Sequence, residues 1–195
     1  MNQYIRQHLL LTTAVAACIS LLSACDAAAP PTAPSSATST ATPSVSTIVG
    51  GEERLVTIMD ACDPESFGAA GVSCIRPGGV TFEQFLDLLG KHQTVGAWRF
   101  SPAVVNARVG QTLLAVNRGG EEHTFTEVEE FGGGFIPDLN NLSGNPIPAP
   151  ECLALTPDDF IEPGGRYTDE VEEAGTEHYQ CCIHPWMRVD VHARP

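Results

Sequence analysis

Basic residues are scarce in this chain of 195 residues, which has 10 Lys and Arg against 24 Asp and Glu and a formal net charge of −14. Such an acidic balance disfavours binding to nucleic acids and to anionic lipids, and it would favour a basic protein partner through electrostatic steering. A surface that is acidic only for solubility explains the charge equally well. The net charge therefore argues against a nucleic-acid-binding function, but it does not identify a protein partner.

Sequence signatures of several large protein classes are also missing. The chain has no glycine-rich phosphate loop, no alternation of strands and helices typical of βαβ units, and no Ser or Cys nucleophile motif. These absences argue against a nucleotide-binding α/β protein and against a serine or cysteine hydrolase. The apolar run from Leu9 to Leu22 is too short for a comfortable membrane span.

The N-terminal segment instead has the features of an export signal. Arg6 precedes the apolar run, and small residues follow it. The segment Leu22-Ser23-Ala24-Cys25 resembles the cleavage box of bacterial lipoproteins, in which the cysteine becomes the lipidated N-terminus. We predict a signal peptide over 1–24, lipidation of Cys25, and an exported bacterial lipoprotein on the periplasmic or cell-surface side of a membrane. The alternative is an ordinary cleaved signal that happens to contain Cys25.

A linker follows the signal. Residues 25–47 are rich in Ala, Pro, Ser and Thr and have almost no charged or large apolar side chains. Such a segment cannot bury enough surface to offset the entropy of ordering, so we expect it to be disordered. The folded domain is then predicted to occupy residues 48–195.

Short β-type runs separated by turn residues dominate this domain. They predict an all-β fold, either an antiparallel sandwich or a Greek-key barrel. The runs lie at 54–61, 95–120, 123–128, 166–183 and 188–193.

Two segments depart from this pattern. Residues 81–92 have apolar side chains at helical spacing, with Thr81 as N-cap and Gly90 at the end of the run. Residues 131–152 contain too much Gly and Pro for a regular helix, and we expect a long surface loop there.

The seven cysteines can be sorted by compartment. Cys18 leaves with the signal and Cys25 would carry lipid, so five remain in the domain. An exported domain tolerates disulfides and disfavours idle thiols, so one metal-bound thiolate and two disulfides would use all five. The first predicted pair is Cys62 with Cys74, which enclose a turn-rich loop. The second joins Cys152 to either Cys181 or Cys182.

Three candidate metal donors lie close together near the C-terminus. Cys181, His184 and Met187 are spaced three residues apart around a turn, and thiolate, imidazole and thioether form a soft donor set suited to copper. His123, which begins a strand after a glycine turn, is the best candidate for a further ligand. Two histidines, one cysteine and a weak methionine are the ligands of blue-copper electron-transfer sites. The alternative is a disulfide between Cys181 and Cys152 with an incidental histidine and methionine.

Two stretches then resemble the cupredoxins, the blue type 1 copper proteins. FSPAVVNARVGQTLLAVNRGGEEHTF resembles the strands that lead to the first copper histidine of this family, and AGTEHYQCCIHPWM resembles its ligand loop, most like that of amicyanin and plastocyanin. The resemblance implies an eight-stranded Greek-key sandwich with one copper ion bound by His123, Cys181 and His184 and weakly by Met187. Two departures from the family are an insertion over 61–92, holding one short helix, and the long 131–152 loop.

The resemblance also implies a function. We expect a protein that carries single electrons between redox proteins and is not an enzyme, anchored to a membrane by its lipid. A copper-delivery lipoprotein with the same donors is the alternative. The ring of His184 is expected to reach the surface as the electron port, and Trp186 to lie over the site.

The roles of the adjacent residues Cys181 and Cys182 can be distinguished by their spacing from His184 and by the alternation of side chains along a strand. Cys181 gives the spacing C-x-x-H-x-x-M, whereas Cys182 would lie too close to His184 for both donors to meet one metal. Successive side chains on a strand point to opposite faces, so Cys182 should face away from Cys181. We therefore predict that Cys181 binds copper and that Cys182 forms a disulfide with Cys152.

Overall fold

Two four-stranded β-sheets form the framework of the protein in the computed structural model, which describes residues 52–195. In the first sheet the strands lie in the order β2 (Arg99–Ser101), β1 (Arg54–Met59), β4 (Thr112–Asn117) and β8 (Arg166–Glu170). In the second the order is β3 (Val104–Arg108), β10 (Arg188–Arg194), β9 (Gly175–Gln180) and β6 (Thr126–Val128). The predicted all-β Greek-key sandwich is confirmed.

The predicted signal peptide 1–24, the lipidation site Cys25 and the linker 25–47 lie outside the described residues. No helix within 52–195 is long and apolar enough to cross a membrane.

Alternating apolar residues explain how the two sheets pack. Val56 and Ile58 of β1 are buried, as are Val189 and Val191 of β10, while their neighbours in sequence are more exposed. Since side chains alternate across a strand, each sheet presents one apolar face, and the two faces meet in the core.

Strand direction differs from the sequence prediction in two places. We expected antiparallel pairing, but β1 runs parallel to β4 and β10 runs parallel to β3. The remaining pairs are antiparallel. Both parallel pairs join strands that are far apart in the chain, and the local turn residues used for the prediction carry no information on such pairs.

The predicted single strand at 123–128 is also divided. β5 (His123–Thr124) pairs with β7 (Phe160–Ile161) in a separate two-stranded sheet, whereas β6 joins the second large sheet. The change occurs at Phe125, which is buried and stacks on Tyr179 at 4.5 Å between ring centroids. Burying the Phe125 ring stabilises the fold more than one continuous strand over 123–128 would. His123 therefore lies on the small two-stranded sheet.

The insertion after β1 contains two helices. α2 (Phe82–His92) is the predicted helix, and Thr81 caps it with a reciprocal bond from Gln84. It continues past Gly90, the predicted end, and stops at Gln93, which adopts a left-handed conformation. α1 (Pro64–Ala69) was not predicted, although Asp63 followed by Pro64 is a helix start signal.

The segment 131–152 is not the open surface loop that we expected. It contains a third helix, α3 (Pro137–Leu142), and a 3-10 turn at Glu151–Leu153. The buried Asn140 amide bonds both the N–H and the C=O of Gly134, at 2.7 and 2.8 Å. The prediction of no helix was wrong because the glycines and prolines cluster at the ends of the segment and leave 138–142 free to form a helical turn.

A cluster of aromatic rings joins the insertion to the sandwich. Phe85 of α2 lies 4.8 Å from Trp98 and 5.8 Å from Phe67 of α1, measured between ring centroids. All three side chains are buried. Aromatic burial of this size is a large stabilising contribution, so the insertion is part of the core.

We expect Phe85→Ala to lower the free energy of unfolding by about 3–5 kcal/mol, because it removes a buried ring and leaves a cavity. Urea unfolding of the variant and the parent protein measures this change. Leu86→Ala is the matched control, since Leu86 is the next residue of the same helix and is 38% exposed. Equal losses for the two variants would contradict this account of the insertion.

Candidate metal centre

Three of the predicted donors meet at one point inside the protein. The Sγ of Cys181 lies 3.7 Å from Nδ1 of His123 and 3.8 Å from Nδ1 of His184. His123 and Cys181 are 0% exposed and His184 is 3% exposed. The three donor atoms all lie within 4.8 Å of one another. One thiol and two imidazoles therefore face a common, buried centre.

The fold positions each donor by a different element. His123 begins β5, Cys181 directly follows β9, and His184 lies in the turn between β9 and β10. The turn is closed by hydrogen bonds from the Cys181 N–H to the Met187 carbonyl, 3.0 Å, and from the Met187 N–H to the His184 carbonyl, 2.9 Å. This turn brings residues three apart in sequence to one end of the sandwich.

Thr124 fixes the thiol from the opposite side. Its N–H donates to Sγ of Cys181 over 3.4 Å, and its hydroxyl accepts a bond from the Cys182 N–H over 2.8 Å. Because Thr124 follows His123 in β5, these two bonds hold β5 against the turn that contains Cys181.

The donor spacing fits a single metal ion. Metal bonds of about 2.0–2.1 Å to imidazole and about 2.3 Å to thiolate would separate sulfur from nitrogen by about 3.5 Å at tetrahedral angles and about 3.8 Å at trigonal angles. The observed separations of 3.7 and 3.8 Å lie in this range. A buried set of one sulfur and two nitrogens suits copper or zinc and not calcium or magnesium, which take oxygen ligands.

Met187 lies in the same turn as Cys181 and His184, and its role as a ligand stays a prediction. Its side chain is fully buried and packs in the same core cluster as Cys181. A thioether favours copper over zinc at such a centre.

Hydrogen bonds among the buried groups shift the pKa values of Cys181 and His123. Burial alone would raise the pKa of the Cys181 thiol, but hydrogen bonds from His123 and His184 hold that pKa well below its usual value. Burial opposes charge on His123, yet Asp60 and Cys181 raise its pKa to about 9. Loss of the Cys181 proton is therefore favoured, whereas the raised pKa of His123 means that this ring would have to lose a proton before it could bind a metal.

Asp60, at the start of the insertion, orients the first histidine. Its Oδ2 lies 2.9 Å from Nε2 of His123, and both side chains are buried. The carboxylate also accepts bonds from the N–H groups of Gly120 and Glu121, at 2.9 and 3.1 Å. A carboxylate behind a histidine keeps the proton on Nε2 and turns Nδ1 towards the metal.

Glu121 stands behind the second histidine. Its Oε2 accepts a 2.5 Å hydrogen bond from the indole N–H of Trp98 and lies 3.8 Å from Nε2 of His184. Burial raises the pKa of Glu121, and the neighbouring His184 and Trp98 oppose that rise. Sequence reasoning missed both Asp60 and Glu121, because their only signal was an acidic residue at the end of an apolar run or beside His123.

His184 does not reach the surface, contrary to the prediction of an exposed electron port. Phe85 of α2 meets the His184 ring edge-on at 6.3 Å, and Trp186 meets it at 5.4 Å. The insertion that the sequence analysis identified thus covers the end of the sandwich where the centre lies. Trp186 packs against the centre as expected.

The cysteines are used as the sequence indicated. Cys62 is bonded to Cys74 and Cys152 is bonded to Cys182, while Cys181 is free. The second disulfide attaches the 131–152 segment to the residue next to the candidate thiolate ligand. The alternative disulfide between Cys181 and Cys152 is excluded.

The described chain has three further histidines, of which His92 is exposed at the end of α2. His178 bonds Asp190 at 2.7 Å, and His192 contacts Thr176 at 3.2 Å. Each of these contacts joins neighbouring strands β9 and β10. They are structural pairs at the surface.

Comparison with known proteins gives fold neighbours only. No protein-family model and no curated protein sequence matches the chain. The purple cupredoxin of Nitrosopumilus maritimus is 17% identical, with 72% of this chain and 99% of that protein covered and a TM-score of 0.42. Amicyanin of Paracoccus versutus is 19% identical over 49% of this chain and 73% of its own, with a TM-score of 0.33.

Plastocyanin of Dryopteris crassirhizoma is 13% identical over 50% of this chain and 89% of its own, with a TM-score of 0.35. All three are cupredoxins, the family that the sequence resembles.

We expect Asp60→Asn to weaken Cu(I) binding about 10- to 100-fold, as loss of a histidine-orienting carboxylate typically does. Both carboxylate oxygens accept N–H donors here, so the amide NH2 of asparagine would face a donor on one side. Competition with a Cu(I) chelator measures the affinity.

Asp190→Asn is the control, because it changes an equivalent carboxylate–histidine contact, with His178, outside the centre. If a folded Asp60→Asn protein bound Cu(I) as tightly as the Asp190→Asn protein, the role assigned to Asp60 would be wrong.

Proposed function

We propose that this protein is an extracytoplasmic blue copper protein that carries single electrons between redox partners. The main support for this proposal is the buried Cys181 thiol, whose sulfur lies 3.7 and 3.8 Å from two imidazole nitrogens. Cys181, His123 and His184 would bind one type 1 copper ion, and Met187 would be a weak axial ligand. The bound copper would supply a one-electron couple between its +1 and +2 states.

The chain's own contribution is to hold the donors still. Asp60 fixes His123, Glu121 faces His184, and the Thr124 N–H bonds the thiolate. A hydrogen bond to a ligating sulfur draws charge away from it and tunes the reduction potential. Donors held by buried contacts on every side need little rearrangement between oxidation states, which favours fast electron transfer.

The buried His184 changes the expected route for the electron. A partner cannot touch this ring directly, since α2 and Trp186 cover it. We propose that the electron passes through the packed aromatic side chains over the centre, where Trp186 is partly exposed. The net charge of −14 would favour a redox partner with a basic docking surface.

Location outside the cytoplasm is proposed from two features. The sequence of residues 1–25 resembles a lipoprotein signal with lipidation at Cys25, which would anchor the protein to a membrane. Two disulfides in the described domain support an oxidising compartment.

A second copper cluster, such as a copper oxidase needs, receives no support from residues 52–195. The other group of candidate donors in 52–195 comprises Asp60, Cys62 and Glu121. Cys62 is part of a disulfide and is not a free thiolate. We therefore propose a carrier and not an enzyme.

Addition of Cu(II) to the metal-free protein should produce intense visible absorption, because electrons pass from a thiolate ligand to Cu(II). Cys181→Ser should abolish this band, since a hydroxyl replaces the sulfur. A double variant, Cys152→Ser with Cys182→Ser, is the control and should keep it. Absorption spectroscopy during titration measures all three proteins.

Voltammetry then separates a carrier from a copper-delivery protein. A carrier keeps its copper through repeated reduction and oxidation and gives a reversible wave. Loss of the ion to a chelator after reduction would favour delivery. A colourless parent protein, or colour that survives Cys181→Ser, would overturn the proposed centre itself.

A further inference from the structure

An apolar cavity lies beside the candidate metal centre, between the insertion and the 131–152 segment. Its volume is about 390 Å³, within the range of roughly 300–1,000 Å³ that is usual for small-molecule sites. The walls are apolar side chains of α1, α2 and α3, and the floor is formed by Ile183 and His184. An apolar cavity of about 150 Å³ already takes benzene, so this one has room for two fused rings.

The walls favour an aromatic occupant. Phe67, Phe82 and Phe85 line the cavity, and Phe67 meets the other two rings edge-on at 5.3 and 5.8 Å. Aromatic side chains bind a flat ring through edge-to-face and offset contacts. The polar side chains that line the cavity are two carboxyl groups and His184, which disfavours an anion such as phosphate.

One buried charged group marks where a polar atom of the occupant would lie. Glu121 lines the cavity, whereas the other acidic residue on the wall, Asp138, is exposed at its rim. Oε2 of Glu121 takes the bond from Trp98 and faces His184. Both side-chain contacts found for Glu121 within residues 52–195 are made by Oε2, so Oε1 is the acceptor that a ligand hydroxyl would use.

We propose that this cavity binds a small aromatic alcohol of the phenol or naphthol class, with its hydroxyl donated to Glu121 and its ring between the phenylalanines. The ring then lies against His184. The site depends on the insertion and on α3, and among its lining residues His184 alone belongs to the candidate copper ligands.

The test is an NMR titration of the protein with 2-naphthol and with naphthalene, in metal-free and copper-loaded forms. We expect one 2-naphthol per protein in both forms and at least about tenfold weaker binding of naphthalene, which cannot donate to Glu121. Because binding is measured without metal, failure of the copper proposal would leave this result unaffected.

Two variants locate the site. Leu142→Trp should fill the cavity and weaken 2-naphthol binding at least tenfold, whereas Leu153→Trp, at an exposed residue outside the cavity, should leave it unchanged. Glu121→Gln should weaken 2-naphthol but not naphthalene. Absence of 2-naphthol binding, or binding that Leu142→Trp does not weaken, would overturn the proposal.

Discussion

The contact between Asp60 and His123 connects every part of this structure that matters for its chemistry. Asp60 directly follows the first strand and opens the insertion, and its carboxylate bonds the His123 ring and two backbone N–H groups of the preceding turn. A buried carboxylate without such partners would be costly, so its burial requires the turn and the ring to be in place. The insertion and the donor histidine are therefore positioned by one shared group.

The insertion also covers the candidate metal centre. The helices that follow Asp60 bring Phe85 over His184, and the disulfide between Cys152 and Cys182 brings the 131–152 segment to the other side. Water is excluded from the thiolate, and the low local dielectric strengthens its interaction with the two imidazoles. The same covering leaves an apolar cavity with Glu121 at its edge. The insertion and the 131–152 segment together therefore bury the centre and form the cavity beside it.

The sequence was informative where spacing, cysteine count or resemblance to a family marks a residue, and His123 was identified in this way although it lies 58 residues from Cys181. Cys181 and His184 are three residues apart, so their spacing alone indicated a shared centre, and a count of the cysteines restricted the disulfides. The helix at 81–92 could be predicted because its N-cap, Thr81, and its apolar spacing are local features of the sequence. Asp60 and Glu121 act on histidines up to 63 residues away, and an acidic residue in an acidic chain carries no local sign of such a role. Burial of His184 likewise depends on packing between distant segments.

X-ray absorption spectroscopy of the copper-loaded protein tests the central claim most directly, since it reports the atoms bound to the metal. Cys181, His123 and His184 meeting at one buried point predict a single short copper–sulfur bond together with two imidazole nitrogens. A copper environment made only of nitrogen and oxygen, or one with two thiolate sulfurs, would contradict the account.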